Sequence, residues 1–282
     1  KTALFLAVER GHTACVELLV AAKAGIAVSD NDRKTALMWA AFHGHTTCAQ
    51  ILVDSGAKVD IKDNNRRTPL IFAAQGGHTA CVQLLIDAKA YMKVKDDQGN
   101  NALLWAARNG NTPCVQLLID LKAKIDAKNK SSQTALIWAT YHGHTDCVHS
   151  LIEGKADLEA KDELKKTALM WAARNSHDAC VQLLVEAKAN IDTKDDTKKS
   201  ALVIAAQGGS PACIRVLLQA KANVEIADRE GKTALMWAAS MGHTDCVQLL
   251  LDITEFKAKK QKDEVSALWL ELLESAGYRY SA

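Results

Sequence analysis

The chain lacks the features that mark several protein classes. No apolar run approaches the roughly 18 residues that a membrane-spanning helix needs, and no signal peptide opens the sequence. Its 35 lysine and arginine residues against 33 acidic ones leave a net charge of +2. That balance favours neither nucleic acid nor a membrane surface as partner. We therefore expect a soluble, folded protein that binds neither.

The sequence also lacks the groupings on which catalysis depends. It has no Ser/His/Asp set, no paired-carboxylate motif, no glycine-rich phosphate loop and no clustered CxxC pair. Each of these would place reactive or ligating groups at a spacing that chemistry requires. We predict no catalytic residue, no metal site and no cofactor, and therefore no enzyme within these residues.

The sequence is instead highly regular. A fixed period of 33 residues is typical of a solenoid, in which each repeat buries its apolar face on its neighbours. The eight cysteines mark this period, each following its predecessor by 33 residues: Cys15, Cys48, Cys81, Cys114, Cys147, Cys180, Cys213 and Cys246.

Residues 30–62 illustrate one repeat. A polar, turn-like segment precedes Thr35, which is a favourable helix N-cap, and a first helix is predicted to His43. Gly44 and His45 end that helix, and a second helix is predicted over about 46–54 before an extended return. The three prolines of the chain agree, because Pro69, Pro113 and Pro211 fall in first helical turns.

These motifs resemble the ankyrin-repeat family from residue 1 to about 256. The opening TALMWAA stands at 35–41 and 233–239, and Gly-His lies between helices at 44–45 and 143–144. The resemblance implies an all-α solenoid of helix-turn-helix repeats with short β-hairpin-like turns, stacked in a curve. It also implies a protein-binding role without catalysis.

The chain departs from the family where glycine usually follows the second helix. The family geometry requires a left-handed backbone there, which costs a non-glycine residue about 1–2 kcal/mol. We predict positive φ at most of the lysines in this position, which are Lys23, Lys89, Lys122, Lys155, Lys188 and Lys221.

Three segments are expected along the chain. Residues 1–256 form the array of eight repeats, the first truncated at its start, so we expect a piece of a longer protein. Residues 257–265 form a basic linker, and residues 266–282 form a C-terminal capping helix and tail. A cap is expected because a last repeat otherwise exposes its apolar side.

The cysteines are predicted to be buried, reduced core residues of the second helices. Neighbouring helices lie about 8–10 Å apart, which is too far for a disulfide or a shared zinc ion. A reactive, low-pKa thiol is the alternative. Eight unpaired thiols indicate a reducing compartment, so we expect the cytoplasm, with the nucleus left open.

Histidine and tryptophan each recur at one repeat position. His12, His45, His78, His144, His177 and His243 are predicted to bond backbone groups between helices. The tryptophans at Trp39, Trp105, Trp138, Trp171 and Trp237 could stack on bases, but Phe, Ile and Leu replace them in other repeats, which favours core packing.

A lysine column offers the main alternative to protein binding. Lys62, Lys95, Lys128, Lys161 and Lys194 could form a track for a polyanion. Acidic residues accompany most of these lysines in sequence, so we interpret the column as neutralised and expect no nucleic acid.

The repeats differ most at the ends of the first helices and at the turn tips, which share the concave side in the family. We predict that this side binds a protein or peptide partner, with Phe42, Arg108, Tyr141 and Arg174 as the central row, because aromatic and arginine side chains anchor interfaces. The alternative is a regulatory or substrate-docking array of a larger enzyme. A monomeric array or part of a larger chain or complex is expected. The candidate residues are Phe42, His43, Arg108, Asn109, Tyr141, His142, Arg174, Asn175 and Met241 at helix ends, and Asn31, Asp32, Asn64, Asn65, Asp97, Gln98, Lys130, Glu163, Leu164, Arg229 and Glu230 at tips.

Overall fold

The computed structural model describes residues 2–253, and within that range the chain is built from pairs of short helices. Residues 244–253 are also helical, and no strand occurs among the described residues apart from an isolated bridge between Ser29 and Thr35. The named helices are α1 (Ala3–Glu9), α2 (Thr13–Ala21), α3 (Ala36–His43), α4 (Thr46–Asp54), α5 (Pro69–Gly76), α6 (Thr79–Asp87), α7 (Ala102–Arg108), α8 (Thr112–Asp120), α9 (Ala135–His142), α10 (Thr145–Glu153), α11 (Ala168–Arg174), α12 (Asp178–Glu186), α13 (Ala201–Gly208), α14 (Pro211–Gln219) and α15 (Ala234–Ser240).

The helices fall into two compact bodies. The first ends at Asn190 and the second begins at Ile191. The first holds α1 to α12, and the second holds α13 onward. The predicted linker over 257–265 and the predicted capping helix over 266–282 lie outside the described residues. No helix within the described range is long and apolar enough to cross a membrane.

In each repeat the helices begin and end at the capping and helix-ending residues that the sequence predicts. Thr35 caps α3, because its Oγ1 accepts the N–H of Met38 at 3.4 Å, and Gly44 ends the helix at a φ of 73°. The second helix then begins at Thr46, directly after His45. Small side chains complete the packing, since Ala40 and Ala41 are fully buried where neighbouring first helices approach one another. The predicted all-α solenoid is confirmed.

The left-handed lysines are also confirmed. All six have positive φ, between 58° at Lys23 and 67° at Lys89. The six are Lys23, Lys89, Lys122, Lys155, Lys188 and Lys221, and Gly56 takes the same position at 88°.

Seven of the eight cysteines are buried, but the prediction that all eight are is wrong, because Cys15 is exposed. Each buried sulfur in the first body lies beside a threonine hydroxyl of the preceding repeat, as Cys147 Sγ does at 3.3 Å from Thr112 Oγ1. No described residue of a preceding repeat covers Cys15. None of the eight is in a disulfide.

Five of the six recurring histidines join consecutive repeats, as predicted. His144 Nε2 lies 3.0 Å from the carbonyl oxygen of Arg108, and His177 Nε2 lies 3.2 Å from that of Tyr141. The approach is close enough to require glycine opposite. A Cβ on Gly143, at a φ of 74°, would meet His177 Nδ1 at 2.6 Å. Asn111 replaces histidine in its repeat and donates to Ala74 O at 2.9 Å.

Candidate partner-binding surface

Each turn tip is organised by one polar side chain, which is buried in five of the seven described tips. Asp162 Oδ1 accepts the N–H groups of Leu164 and Lys166, both at 2.9 Å, and Lys165 between them is left-handed. The tips of the first body are linked in turn by backbone bonds, such as Asp97 N–H to Asn65 O at 3.0 Å. The tips are therefore rigid features of the surface. The organising residues are Asp30, Asp63, Asp96, Asn129, Asp162, Asp195 and Asp228.

The tryptophan ring reaches the same carboxylate. The indole N–H of Trp171 donates to Asp162 Oδ2 at 2.8 Å, and that of Trp105 donates to Asp96 Oδ2 at 2.8 Å. Interpreting all these tryptophans as core is therefore wrong. Only Trp171 is buried, at 8% exposed, while Trp39, Trp105, Trp138 and Trp237 are half-buried. The indole needs a polar partner when it is buried, and the tip aspartate holds the ring at the boundary between core and surface.

Cationic side chains cover the exposed ring faces. The Arg108 guanidinium lies 5.0 Å from the Trp105 ring and 4.6 Å from the Trp138 ring, and that of Arg174 lies 5.4 Å from the Trp171 ring. Such cation–π contacts stabilise by about 0.5–2 kcal/mol. In the part of the chain that the structure describes, neither arginine forms an ion pair. Two guanidinium groups thus lie against aromatic rings with no carboxylate partner among the described residues.

Two aromatic clusters stand three repeats apart on this surface. Tyr141 contacts the Trp138 and Trp171 rings at 5.9 Å and 5.1 Å, and His142 stacks on Trp138 at 5.5 Å. Phe42 and His43 repeat the arrangement around Trp39, with Phe42 also against Phe72 at 5.9 Å. These contacts leave Phe42 39% exposed.

The pKa of His142 lies below its ordinary value. Partial burial is the main cause, and the positive charges of His144, Arg108 and His177 add to it. The groups that act on this imidazole are therefore all potential cations, which indicates a locally positive potential.

A cavity of about 170 Å³ opens beside the Phe42 cluster. Gln75 Oε1 is buried there without a hydrogen-bond partner among the described residues. The equivalent Gln207 accepts from Lys199 Nζ at 2.9 Å, whereas Arg67 at the lysine position pairs with Asp63 instead. The lining residues are Lys34, Met38, Trp39, Phe42, Arg67, Phe72 and Gln75.

The sequence candidates of the first body lie along this surface, and several of them also form structural hydrogen bonds. Asn109 and Asn175 donate to the carbonyls of Gln75 and Tyr141, at 2.8 Å and 2.7 Å. Met241, Arg229 and Glu230 belong to the second body and are exposed there. The remaining candidates in the first body are exposed or half-buried: Phe42, His43, Arg108, Tyr141, His142, Arg174, Asn31, Asp32, Asn64, Asn65, Asp97, Gln98, Lys130, Glu163 and Leu164.

Sequence reasoning missed the tryptophans and Arg67 as surface residues. A signal was present for the tryptophans, because each of four follows an aspartate by nine residues, as Trp105 follows Asp96. An aspartate in the turn therefore predicts that a tryptophan nine residues later donates its indole N–H to the carboxylate.

Two lysines of the column donate hydrogen bonds to backbone carbonyls of the next repeat. Lys95 Nζ donates to the carbonyl of Lys128 at 2.6 Å, and Lys128 Nζ donates to that of Lys161 at 3.4 Å. Two of these ammonium groups therefore already have acceptors in the neighbouring repeat.

Comparison with known proteins agrees with the geometry. A family model described as ankyrin repeats in three copies matches residues 1–63, 56–129, 122–195 and 189–262. A similar solved structure is the ankyrin repeat domain of Bcl-3, described as a unique member of the IkappaB protein family. It has a TM-score of 0.67 at 25% identity, covering 77% of this chain and 98% of that one. A search of curated proteins gives no match. Successive matches to the repeat model extend over most of the sequence, so this chain belongs to the ankyrin-repeat family, whose repeats typically serve as protein-interaction scaffolds.

Proposed function

We propose that the chain is a noncatalytic scaffold that binds a protein or peptide through its tips and first-helix ends, the side that the family resemblance implies is concave. One observation carries the proposal. Arg108, Tyr141 and Arg174 pack on a row of tryptophan rings, of which Trp105 and Trp138 are half-buried and Trp171 is buried, before any partner arrives. Fixed aromatic and arginine side chains favour binding, because little side-chain entropy is lost on association.

The cavity beside Phe42 supplies a second contact. Its walls are the Trp39, Phe42 and Phe72 rings, which suit an apolar side chain of the partner. The unpaired Gln75 Oε1 would accept a hydrogen bond from a donor on that side chain, such as a tyrosine hydroxyl or an indole N–H.

Eight free thiols, one of them exposed, are typical of a protein in a reducing compartment. We therefore place the scaffold inside the cell. Its partner is expected to be a protein there.

Capture of partners from cell extract, followed by hydrogen exchange of the purified complex, tests the proposal. We expect protection at the tips and first helices of the first body, around residues 97–109, 130–142 and 163–175. The Tyr141→Ala variant should weaken binding by about 1–4 kcal/mol while its melting curve stays cooperative. The Gln182→Ala variant, at an exposed position of α12, is the matched control and should bind normally. Protection confined to the second helices would contradict the proposal.

A further inference from the structure

The two guanidiniums that have no carboxylate partner in the described part of the chain flank one aromatic residue. Arg108 lies at the end of α7 and Arg174 at the end of α11, with Tyr141 on α9 between them in the repeat order. Arg108 lies against two tryptophan rings and Arg174 against one, and neither forms an ion pair among the described residues. An incoming carboxylate would therefore displace no existing acidic partner.

The acids of the same repeats that lie beside these rings are already engaged. Asp96 and Asp162 are 7% exposed, and their oxygens accept turn N–H groups and the indoles of Trp105 and Trp171. Arg108 is also one of the positive groups that lower the pKa of His142. Two guanidiniums without a carboxylate partner among the described residues thus lie on this surface, although the whole chain has a net charge of only +2.

We propose that this surface selects an acidic, extended segment of its partner, a specificity that rests on the proposed function. Carboxylates of the segment pair with Arg108 and Arg174, and an apolar side chain between them packs on Tyr141. Arginine suits this role because its planar guanidinium can bind a carboxylate through two hydrogen bonds.

The spacing sets the length of that segment. The two arginines are two repeats apart, or roughly 16–20 Å at the usual helix separation. An extended chain advances about 3.3 Å per residue, so the two acidic residues should be about five or six positions apart.

Discrete carboxylates fit the surface better than a polyanion does. The tips of the two arginine-bearing repeats carry the acidic side chains Asp97 and Glu163. A nucleic-acid strand, with a charge at every phosphate, would meet these acids as well as the arginines. A peptide can place its acids only where the guanidiniums lie.

Fluorescence anisotropy with labelled peptides of about ten residues tests the proposal. The first peptide carries two glutamates five positions apart with tyrosine and leucine between them, the second replaces both glutamates with glutamine, and the third replaces them with lysine. A single-stranded oligonucleotide is the fourth probe. We expect the acidic peptide to bind best, and the double variant Arg108→Gln/Arg174→Gln to weaken it by about tenfold or more. The Arg215→Gln variant, exposed on α14, removes one positive charge elsewhere and should bind as the unmodified chain does.

Each other result overturns the inference in a distinguishable way. Equal binding of the glutamine peptide, abolished by Tyr141→Ala, would remove the acidic preference and leave the docking surface standing. Tighter binding of the oligonucleotide would assign the surface to a polyanion. Absence of binding by every peptide would remove the acidic specificity, while the hydrogen-exchange footprint of a captured partner decides the docking surface separately. Circular dichroism of the double variant checks that it is folded, and Arg108→Lys/Arg174→Lys should restore part of the affinity.

Discussion

Trp171 and Asp162 are joined by an indole-to-carboxylate hydrogen bond of 2.8 Å that ties a first helix to the turn nine residues before it. The second oxygen of the same carboxylate accepts the N–H groups of Leu164 and Lys166. One aspartate thus fixes both the turn and the ring. Because Tyr141 and Arg174 rest on that ring, the aspartate also positions the proposed binding residues.

Replacing Trp171 by phenylalanine should lower the free energy of unfolding by about 1.5–3 kcal/mol. The change removes a hydrogen bond to a charged acceptor and leaves the Asp162 oxygen at a nearly buried site. Urea denaturation measures the loss. Trp138→Phe is the matched control, because Asn129 stands in place of the aspartate and no indole hydrogen bond forms there among the described residues. Equal losses in the two variants would show that the bond contributes nothing.

One thiol should react rapidly in the native protein. Cys15 is exposed, whereas burial raises the pKa of the Cys81, Cys114, Cys147 and Cys180 thiols and so lowers their thiolate fraction at neutral pH. A colorimetric thiol reagent should therefore label about one equivalent quickly. The Cys15→Ser variant should lose that fast phase, and a fast phase that persists in it would contradict the assignment.

Substitution by leucine should change the stability of the array in opposite directions at two equivalent glutamines. Gln75→Leu removes a buried acceptor without a partner and should stabilise the array by roughly 1 kcal/mol. Gln207→Leu removes the acceptor of Lys199 and should destabilise it. Thermal melts of both variants test the contrast, and a loss of stability in Gln75→Leu would refute it. The same Gln75→Leu variant should bind a cavity-filling partner more weakly.

Stability should fall in mild acid partly through His142. Its pKa is lowered in the folded state, mainly by burial, so the unfolded chain takes up a proton first as pH drops below the ordinary value. The contribution of neutral His142 to the free energy of unfolding is fully present above the ordinary pKa. It is lost as the pH falls through the pKa of the folded state. Urea midpoints at about pH 7.5 and 5.5, on either side of the ordinary pKa, should differ less in His142→Gln than in the unmodified chain. An unchanged difference would rule out this contribution.

The sequence predicts the features that local chemistry decides. The 33-residue period, the Thr35 cap and the left-handed lysines such as Lys89 follow from rules that act within a few residues. Cys15 and the tryptophans do not follow from such rules. The exposure of Cys15 depends on whether a preceding repeat covers it, and the position of Trp105 depends on the folded turn that holds Asp96.

The sequence predicts which residues belong to the candidate surface but not which side chains they contact. Variation between repeats locates Arg108, Tyr141 and Arg174, but the rings on which they rest come from their own and neighbouring repeats. The different environments of Gln75 and Gln207 depend on whether arginine or lysine stands eight residues earlier, and on which acceptor it reaches.

The contact of His177 with Gly143 and the carbonyl of Tyr141 has a genetic consequence. It uses a backbone oxygen and a residue without a side chain, so it does not depend on which side chains the adjoining repeat displays. Duplication, loss or exchange of a whole 33-residue segment would recreate the same contact wherever the new junction joins a glycine at the Gly143 position to a histidine at the His177 position. The recognition surface could therefore be lengthened or reordered by recombination in the gene without a new core having to evolve.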